Sequence, residues 1–122
     1  EKKLVDGLHA LGTRVRLHIC GNTRRILEGM GRLGCEIVDL DFMVPLSEAR
    51  AKMGAQQVLL GNLDPVRALR EGTPESVTAA IAECHQQAGR RFIVGAGCEV
   101  PRDTPPENVR ALADYAQRHS TT

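Results

Sequence analysis

Apolar positions along the chain change period repeatedly, and each change marks a new element. Leu4, Leu8 and Leu11 recur at helical spacing before Gly12, so the chain opens inside a helix. Residues 15–20 then alternate, with Leu17 and Ile19 on one side and His18 and Cys20 on the other, the two-residue period of a strand. Ile26, Leu27, Met30 and Leu33 return to the helical period, with Asn22 or Thr23 as cap and Gly34 as stop. Residues 36–41 alternate again, Val38 and Leu40 against Ile37, Asp39 and Asp41. An isoleucine sharing a face with two acids suits a site at the strand's carboxyl end better than an ordinary solvent-facing strand.

The second half repeats this grammar. Leu46–Met53 reads as a short helix closed by Gly54, and residues 57–61 as a third strand. Asp64 before Pro65 marks a helix start, and Thr73 before Pro74 opens a longer helix that runs to about Ala88 and stops at Gly89. Residues 92–94 form a fourth strand leading through Gly95, Ala96 and Gly97 to Cys98. Thr104 and Glu107 have the spacing of a capping box around Pro105 and Pro106, and Val109, Leu112, Ala113 and Ala116 form the expected buried stripe of the last helix. Four strands, each followed by a helix, with room for a crossover every time, predict an α/β fold with a parallel sheet.

Composition narrows the picture. The 16 basic and 15 acidic residues nearly cancel, and one Tyr, two Phe and no Trp leave no stacking platform, so no nucleic-acid partner is expected. No apolar run approaches the roughly 20 residues that cross a bilayer, and no signal-peptide pattern opens the chain. No membrane partner and a cytoplasmic location are therefore expected. The four Cys lack a framework spacing, which favours reduced thiols or metal ligands over disulfides. Glu1, in what reads as mid-helix, points to a piece of a longer protein.

In parallel α/β folds ligands bind beyond the carboxyl ends of the strands, and the chemistry-bearing residues collect there: His18 and Cys20, Asp39 and Asp41, Asn62 and Asp64, Cys98 and Glu99. His18, Cys20 and Cys98 make a candidate metal site of three donors with a fourth position open, the count of a catalytic zinc centre. The two sulfurs disfavour magnesium, calcium and manganese and leave iron and cobalt open. Asp41 and Glu99 are the candidate catalytic carboxylates, Asp41 also as a fourth ligand or a group supporting the ligands. Asn62 and Arg102 are candidate substrate contacts. Each has a plainer reading: Asp41 as a cap for the next element, Glu99 and Arg102 as loop surface, His18 as a hydrogen-bonded strand residue. Cys35 and Cys84 read as inert buried thiols, Asp64 as a cap, and His9, His85 and His119 as solvated helix residues.

Gly61, Asn62, Leu63, Asp64, Pro65 and the later Asp103, Thr104, Pro105, Pro106, Glu107, Asn108, Val109 resemble the carboxyl-terminal half of the uroporphyrinogen decarboxylase superfamily. The resemblance covers nearly the whole chain in element order. It implies a parallel (β/α)4 half of a TIM-type (β/α)8 barrel, occupying residues 1–122. Decarboxylases of that superfamily usually carry a Gly-His pair where this chain has Gly97 and Cys98. With residues 18–23 reading His, Ile, Cys, Gly, Asn, Thr, the chain is more similar to the zinc-dependent methylcobamide:coenzyme M methyltransferase branch. That likeness implies zinc on His18, Cys20 and Cys98, a methylcobamide carried by a separate corrinoid protein as methyl donor, and a small-molecule thiol as acceptor. Tetrapyrrole decarboxylation and a non-catalytic corrinoid-protein-binding module are the alternatives. Because four strands cannot close a barrel, a homodimer of half-barrels is the expected assembly.

Overall fold

A computed structural model describes residues 1–120. The elements are α1 (Lys2–Ala10), β1 (Arg16–Ile19), α2 (Leu27–Arg32), β2 (Ile37–Leu40), α3 (Leu46–Met53), β3 (Val58–Leu63), α4 (Pro74–Ala88), β4 (Phe92–Ala96) and α5 (Pro106–His119). A 3-10 turn, Arg24–Ile26, leads into α2, and a short π-type turn, Pro65–Arg70, follows β3. The four strands pair in parallel in the order β1-β2-β3-β4, with Arg16 opposite Ile37, Ile37 opposite Val58 and Leu59 opposite Phe92. Strands adjacent in sequence are adjacent in space, the ordering of a barrel wall rather than of a doubly wound sheet. Among the described residues both β1 and β4 are open edges.

The core lies between the sheet and its helices, in two parts. One gathers Val5, Leu27, Met30, Cys35, Val38, Leu40, Val44, Leu46, Ala49 and Leu59, with Leu17 and Ile19 packed against it. The other gathers Leu63, Leu69, Val77, Ile81, Ala111 and Tyr115, with Phe92, Val94 and Ala96. Strand alternation therefore sends Leu17, Ile19, Val38 and Leu40 to the helices, leaving Arg16, His18 and Asp39 on the opposite face.

Local sequence explains most boundaries. Asp64 accepts from the N–H groups of Val66 and Arg67, and Thr73 exchanges hydrogen bonds with Ser76 in a full capping box at the start of α4, with Pro74 at its first position. Four expectations need correction. Val5 is the buried residue of α1, while Leu4 and Leu11, at helical spacing, are 67% and 80% exposed. Likewise Ile26 falls in the 3-10 turn and is exposed, leaving Leu27 and Met30 to enter the core. In α5 the buried line is Asn108, Ala111 and Tyr115, one residue off the expected stripe, and Val109 and Ala113 face outward. Asn108 takes the inner position because its amide donates to the carbonyls of Leu69 and Gly72 at 2.7 and 2.9 Å, tying α5 to the turn before α4. Finally, Thr104 does not cap: the helix starts one residue later, with Pro105 as its cap residue, and the buried Thr104 hydroxyl has no partner among the described residues. Two consecutive prolines remove the N–H groups a capping hydroxyl would have found nearby.

Two polar clamps secure the amino-terminal end of the sheet. Arg50, from α3, donates to the carbonyls of Ala88, Gly54, Gln57 and Arg91, all at 2.7–3.0 Å. At the β1 edge the Glu36 carboxylate accepts from Val15 N–H at 2.8 Å and lies 3.1 Å from His9 Nε2. The Val15 amide chiefly, and His9 with it, hold the Glu36 carboxyl below its ordinary pKa. A carboxyl lowered on folding contributes stability above its unfolded pKa and loses that contribution as pH falls through the folded value. The tether between α1, β1 and β2 is therefore expected to loosen below about pH 4.3. Glu36→Gln should flatten that acid limb, measured as the midpoint of urea unfolding at stepped pH; an unchanged slope would remove Glu36 as the cause.

Candidate functional site

The site follows from where each strand ends. His18 is the third residue of β1, and Cys20 follows the strand directly on the same face. Cys98 arrives two residues after β4, from the opposite edge of the sheet. His18 Nε2 lies 3.1 Å from Cys20 Sγ, and Cys20 Sγ lies 4.0 Å from Cys98 Sγ. All three donor atoms fall within 4.8 Å of one another, which makes this trio able to hold a metal ion. The Cys98 thiol, by hydrogen bond and charge, pushes the pKa of Cys20 up. Two thiols this close resist joint ionisation, and a cation between them reverses that preference.

Neighbouring polar groups aim the donors. His18 Nδ1 is 3.1 Å from the Asp39 carbonyl oxygen and 3.5 Å from its carboxylate, which fits an imidazole donating from Nδ1 and turning the Nε2 lone pair toward the thiols. Asp39 is only 6% exposed, and its carboxylate is paired with Arg16. Asp41 is 4% exposed; its two carboxylate oxygens accept from Gly21 N–H at 2.9 Å and Met43 N–H at 3.0 Å. It thus fixes the backbone immediately after Cys20, and its oxygens point at amides rather than at the cluster.

A cavity of about 740 Å3 opens over the trio, lined by Arg16, His18, Cys20, Asp39, Cys98 and Glu99 with Leu60, Val94, Gly95 and Ala96. Glu99 is brought to this wall. Arg102 is not, lying exposed in the turn beyond it. Asn62 is buried at the end of β3, where its amide nitrogen donates to the carbonyls of Asp41 and Val44 at 3.0 and 2.6 Å. Its peptide bond with Gly61 is cis. Arg16 is the residue that the strand pattern marked and the chemistry overlooked: its position two before His18 on the same face was enough to place it in the cavity.

Gly97 governs the approach of Cys98. A Cβ there would sit 2.3 Å from Phe42 N and 2.8 Å from Phe42 Cα, both backbone atoms that cannot swing aside. Gly97→Ala is expected to lower stability by about 1–3 kcal/mol through overpacking. Gly29→Ala, whose Cβ meets nothing within 4 Å in helix α2, should raise it by about 0.5–1 kcal/mol. Denaturant unfolding of both variants checks the opposite signs.

Of the other thiols, Cys35 is 2% exposed, and Cys84 is half-buried with Sγ 3.7 Å from Asn62 Oδ1; burial raises the pKa of each. The helix histidines are not simply solvated. His9 meets Glu36, His85 stacks on Phe92 and shares a 3.0 Å hydrogen bond with the Tyr115 hydroxyl, and His119 stacks on Tyr115 at 4.0 Å.

Fold and donor set together define a parallel α/β half-barrel with a histidine and two cysteines converging beyond the carboxyl ends of its strands. The chain belongs to the uroporphyrinogen decarboxylase (URO-D) family, whose profile matches residues 1–119. It is 35% identical over 119 residues to the methylcobamide:CoM methyltransferase MtbA of Methanosarcina mazei, covering 98% of this chain and 34% of that protein. Over 115 residues it is 37% identical to a uroporphyrinogen decarboxylase of Prochlorococcus marinus, covering 92% of this chain and 32% of that protein. A solved methyltransferase from Methanosarcina mazei superposes with a TM-score of 0.82 at 25% identity, over 96% of this chain and 35% of that one. The chain thus spans about a third of the length of the relatives it matches, 34% and 32% for the two named here, and those relatives are enzymes. Among the described residues no helix is long and apolar enough to cross a membrane.

Proposed function

We propose that this chain is the metal-bearing, carboxyl-terminal part of a zinc-dependent methyltransferase that moves a methyl group from a methylated corrinoid protein to a thiol or related acceptor. The observation that carries this reading is the convergence of His18, Cys20 and Cys98 from the two edges of the sheet. The donor set fits zinc: two thiolates at about 2.3 Å in tetrahedral array stand about 3.8 Å apart, close to the 4.0 Å between Cys20 and Cys98. Likeness to a methylcobamide:CoM methyltransferase supports the same reading.

In this reading His18, Cys20 and Cys98 hold the ion, and zinc, when bound, supplies the Lewis acidity that keeps an acceptor sulfur deprotonated near neutral pH. The chain's own residues do the rest. Asp39 orients the His18 ring through its carbonyl, and Asp41 secures the Gly21 backbone so that Cys20 stays aimed. Glu99, on the exposed rim of the cavity, is placed to take or return the acceptor's thiol proton, while Arg16 gives the cavity wall a cation. Asn62 acts on substrate only indirectly, by holding the strand ends at Asp41 and Val44 in place. Arg102 could meet a substrate only by movement of its turn. The open β1 and β4 edges call for a complement, either the remaining length of the polypeptide or a second half-barrel.

Likeness to uroporphyrinogen decarboxylases favours a second reading, tetrapyrrole decarboxylation, which needs no metal. Metal analysis separates the two. Protein purified without chelator is expected to hold about one zinc per three-donor site, and the full-length polypeptide should methylate a thiol from a methylated corrinoid protein. Absence of a tight zinc site on titration, together with tetrapyrrole binding, would replace the first reading with the second. Sedimentation at high concentration tests the half-barrel dimer: a monodisperse monomer sinks it.

A further inference from the structure

We propose that Cys20 and Cys98 are also a modification site: with no metal between them they form a reversible intramolecular disulfide, the oxidant being a small-molecule disulfide. The bond itself rests on geometry alone. Its suppression by metal rests on the zinc reading above.

The two sulfurs are 4.0 Å apart, so they must close by about 2 Å to reach the disulfide length of about 2.05 Å. Neither residue lies within the hydrogen-bonded ladder. Cys20 follows the last residue of β1 and precedes Gly21, and Cys98 sits in the turn after β4. Closure comes from rotation about the side-chain bonds together with a small adjustment of the two loops. Access is unequal, since Cys20 is exposed and Cys98 half-buried, which fixes the order of events. The remaining thiols cannot compete: Cys35 is sealed in the core and Cys84 lies on the helix side of the sheet against Asn62.

The exposed Cys20 thiolate attacks one sulfur of the disulfide RSSR, forming Cys20–S–S–R and expelling RS−, which takes up the proton Cys20 has lost. The Cys98 thiolate then attacks Cys20 Sγ, breaking the bond to SR and expelling a second RS−, which takes the proton from Cys98. Two protein thiols are oxidised by two electrons, and RSSR is reduced to two RSH. The product covalently joins the ends of the two edge strands and removes two of the three metal donors.

The test uses the protein stripped of metal by a chelator and incubated with oxidised glutathione. Peptide mapping without reduction should find Cys20 linked to Cys98 within one chain, a loss of two of the four thiols, and no lasting glutathione adduct. Zinc uptake should fall at least tenfold and recover with dithiothreitol, and prior loading with zinc should slow cross-linking at least tenfold. Cys20→Ser and Cys98→Ser should each abolish the cross-link, and Cys84→Ser should leave it intact. A stable glutathione adduct on Cys20, or cross-links only between chains, would overturn the proposal. Zinc binding without any cross-link defeats this inference and leaves the zinc reading standing. A cross-link in protein that binds no zinc does the reverse.

Discussion

On the zinc reading, Cys98→Ser is expected to empty the metal site while leaving the fold in place. Zinc content should fall from about one per chain to near zero, with affinity reduced by more than the roughly 10–100-fold typical of losing a group that merely supports a ligand. A serine hydroxyl is neither soft nor ionised at neutral pH, so His18 and Cys20 would be left as a two-donor chelate. Folding should suffer little, because Cys20 Sγ is the one hydrogen-bond partner that the Cys98 thiol has among the described residues. A loss under about 1 kcal/mol is expected for such a half-buried contact. Zinc titration paired with thermal unfolding reads both quantities. Full zinc retention in the variant would remove Cys98 from the ligand set.

Arg50→Met should do the opposite, leaving the donor trio untouched and weakening the sheet that carries it. The guanidinium binds four main-chain carbonyls contributed by the ends of α3 and α4 and the segments entering β3 and β4. No carboxylate pairs with it among the described residues, and burial, with Arg91 nearby, lowers its pKa. Methionine preserves much of the stem and deletes every donor, so the carbonyls of the buried Ala88 and Gln57 lose a partner, while those of the exposed Gly54 and Arg91 can turn to water. The expected destabilisation is about 2–4 kcal/mol, the range for removing charge-assisted bonds to partly buried acceptors. Arg50→Lys should recover only part of it, since an ammonium cannot reproduce the planar fork. Equal stability of all three forms in denaturant would show that the clamp is idle.

The site was more legible in the sequence than its surroundings, and the reason is geometric. Alternation along residues 15–20 puts His18 and Cys20 on one face whatever lies elsewhere, a parallel sheet delivers its strand ends to one rim, and the barrel curvature that the resemblance implies brings the end of the fourth strand back toward the first. What the pattern could not show was polar atoms bonding to backbone at a distance. Asn108 lies outside the expected apolar stripe and is buried because Leu69 and Gly72 offer carbonyls. Asn62, marked as a substrate contact for its position, turns its amide nitrogen to the carbonyls of Asp41 and Val44. Asp41, marked as a possible ligand, serves Gly21 and Met43. Each partner is an ordinary peptide group, invisible to side-chain spacing. His85 escaped for a related reason: it stacks on Phe92 of β4 and meets Tyr115 and His119 of α5 edge-on, contacts that depend on how α4 lies against its neighbours and not on its own sequence alone.

The separation of the donors also sets a timetable. Cys20 and Cys98 are 78 positions apart, and the third donor follows the last strand of the sheet. During synthesis the chain carries His18 and Cys20 long before Cys98 is made, and a two-donor chelate holds zinc weakly. Bringing the ends together also requires every strand between them to be in register, the kind of distant contact that forms late. On the proposed zinc reading, the ion would be captured by the finished sheet rather than by the growing chain, and loading would act as a checkpoint on assembly: a molecule misfolded anywhere between the two edges would not acquire its metal.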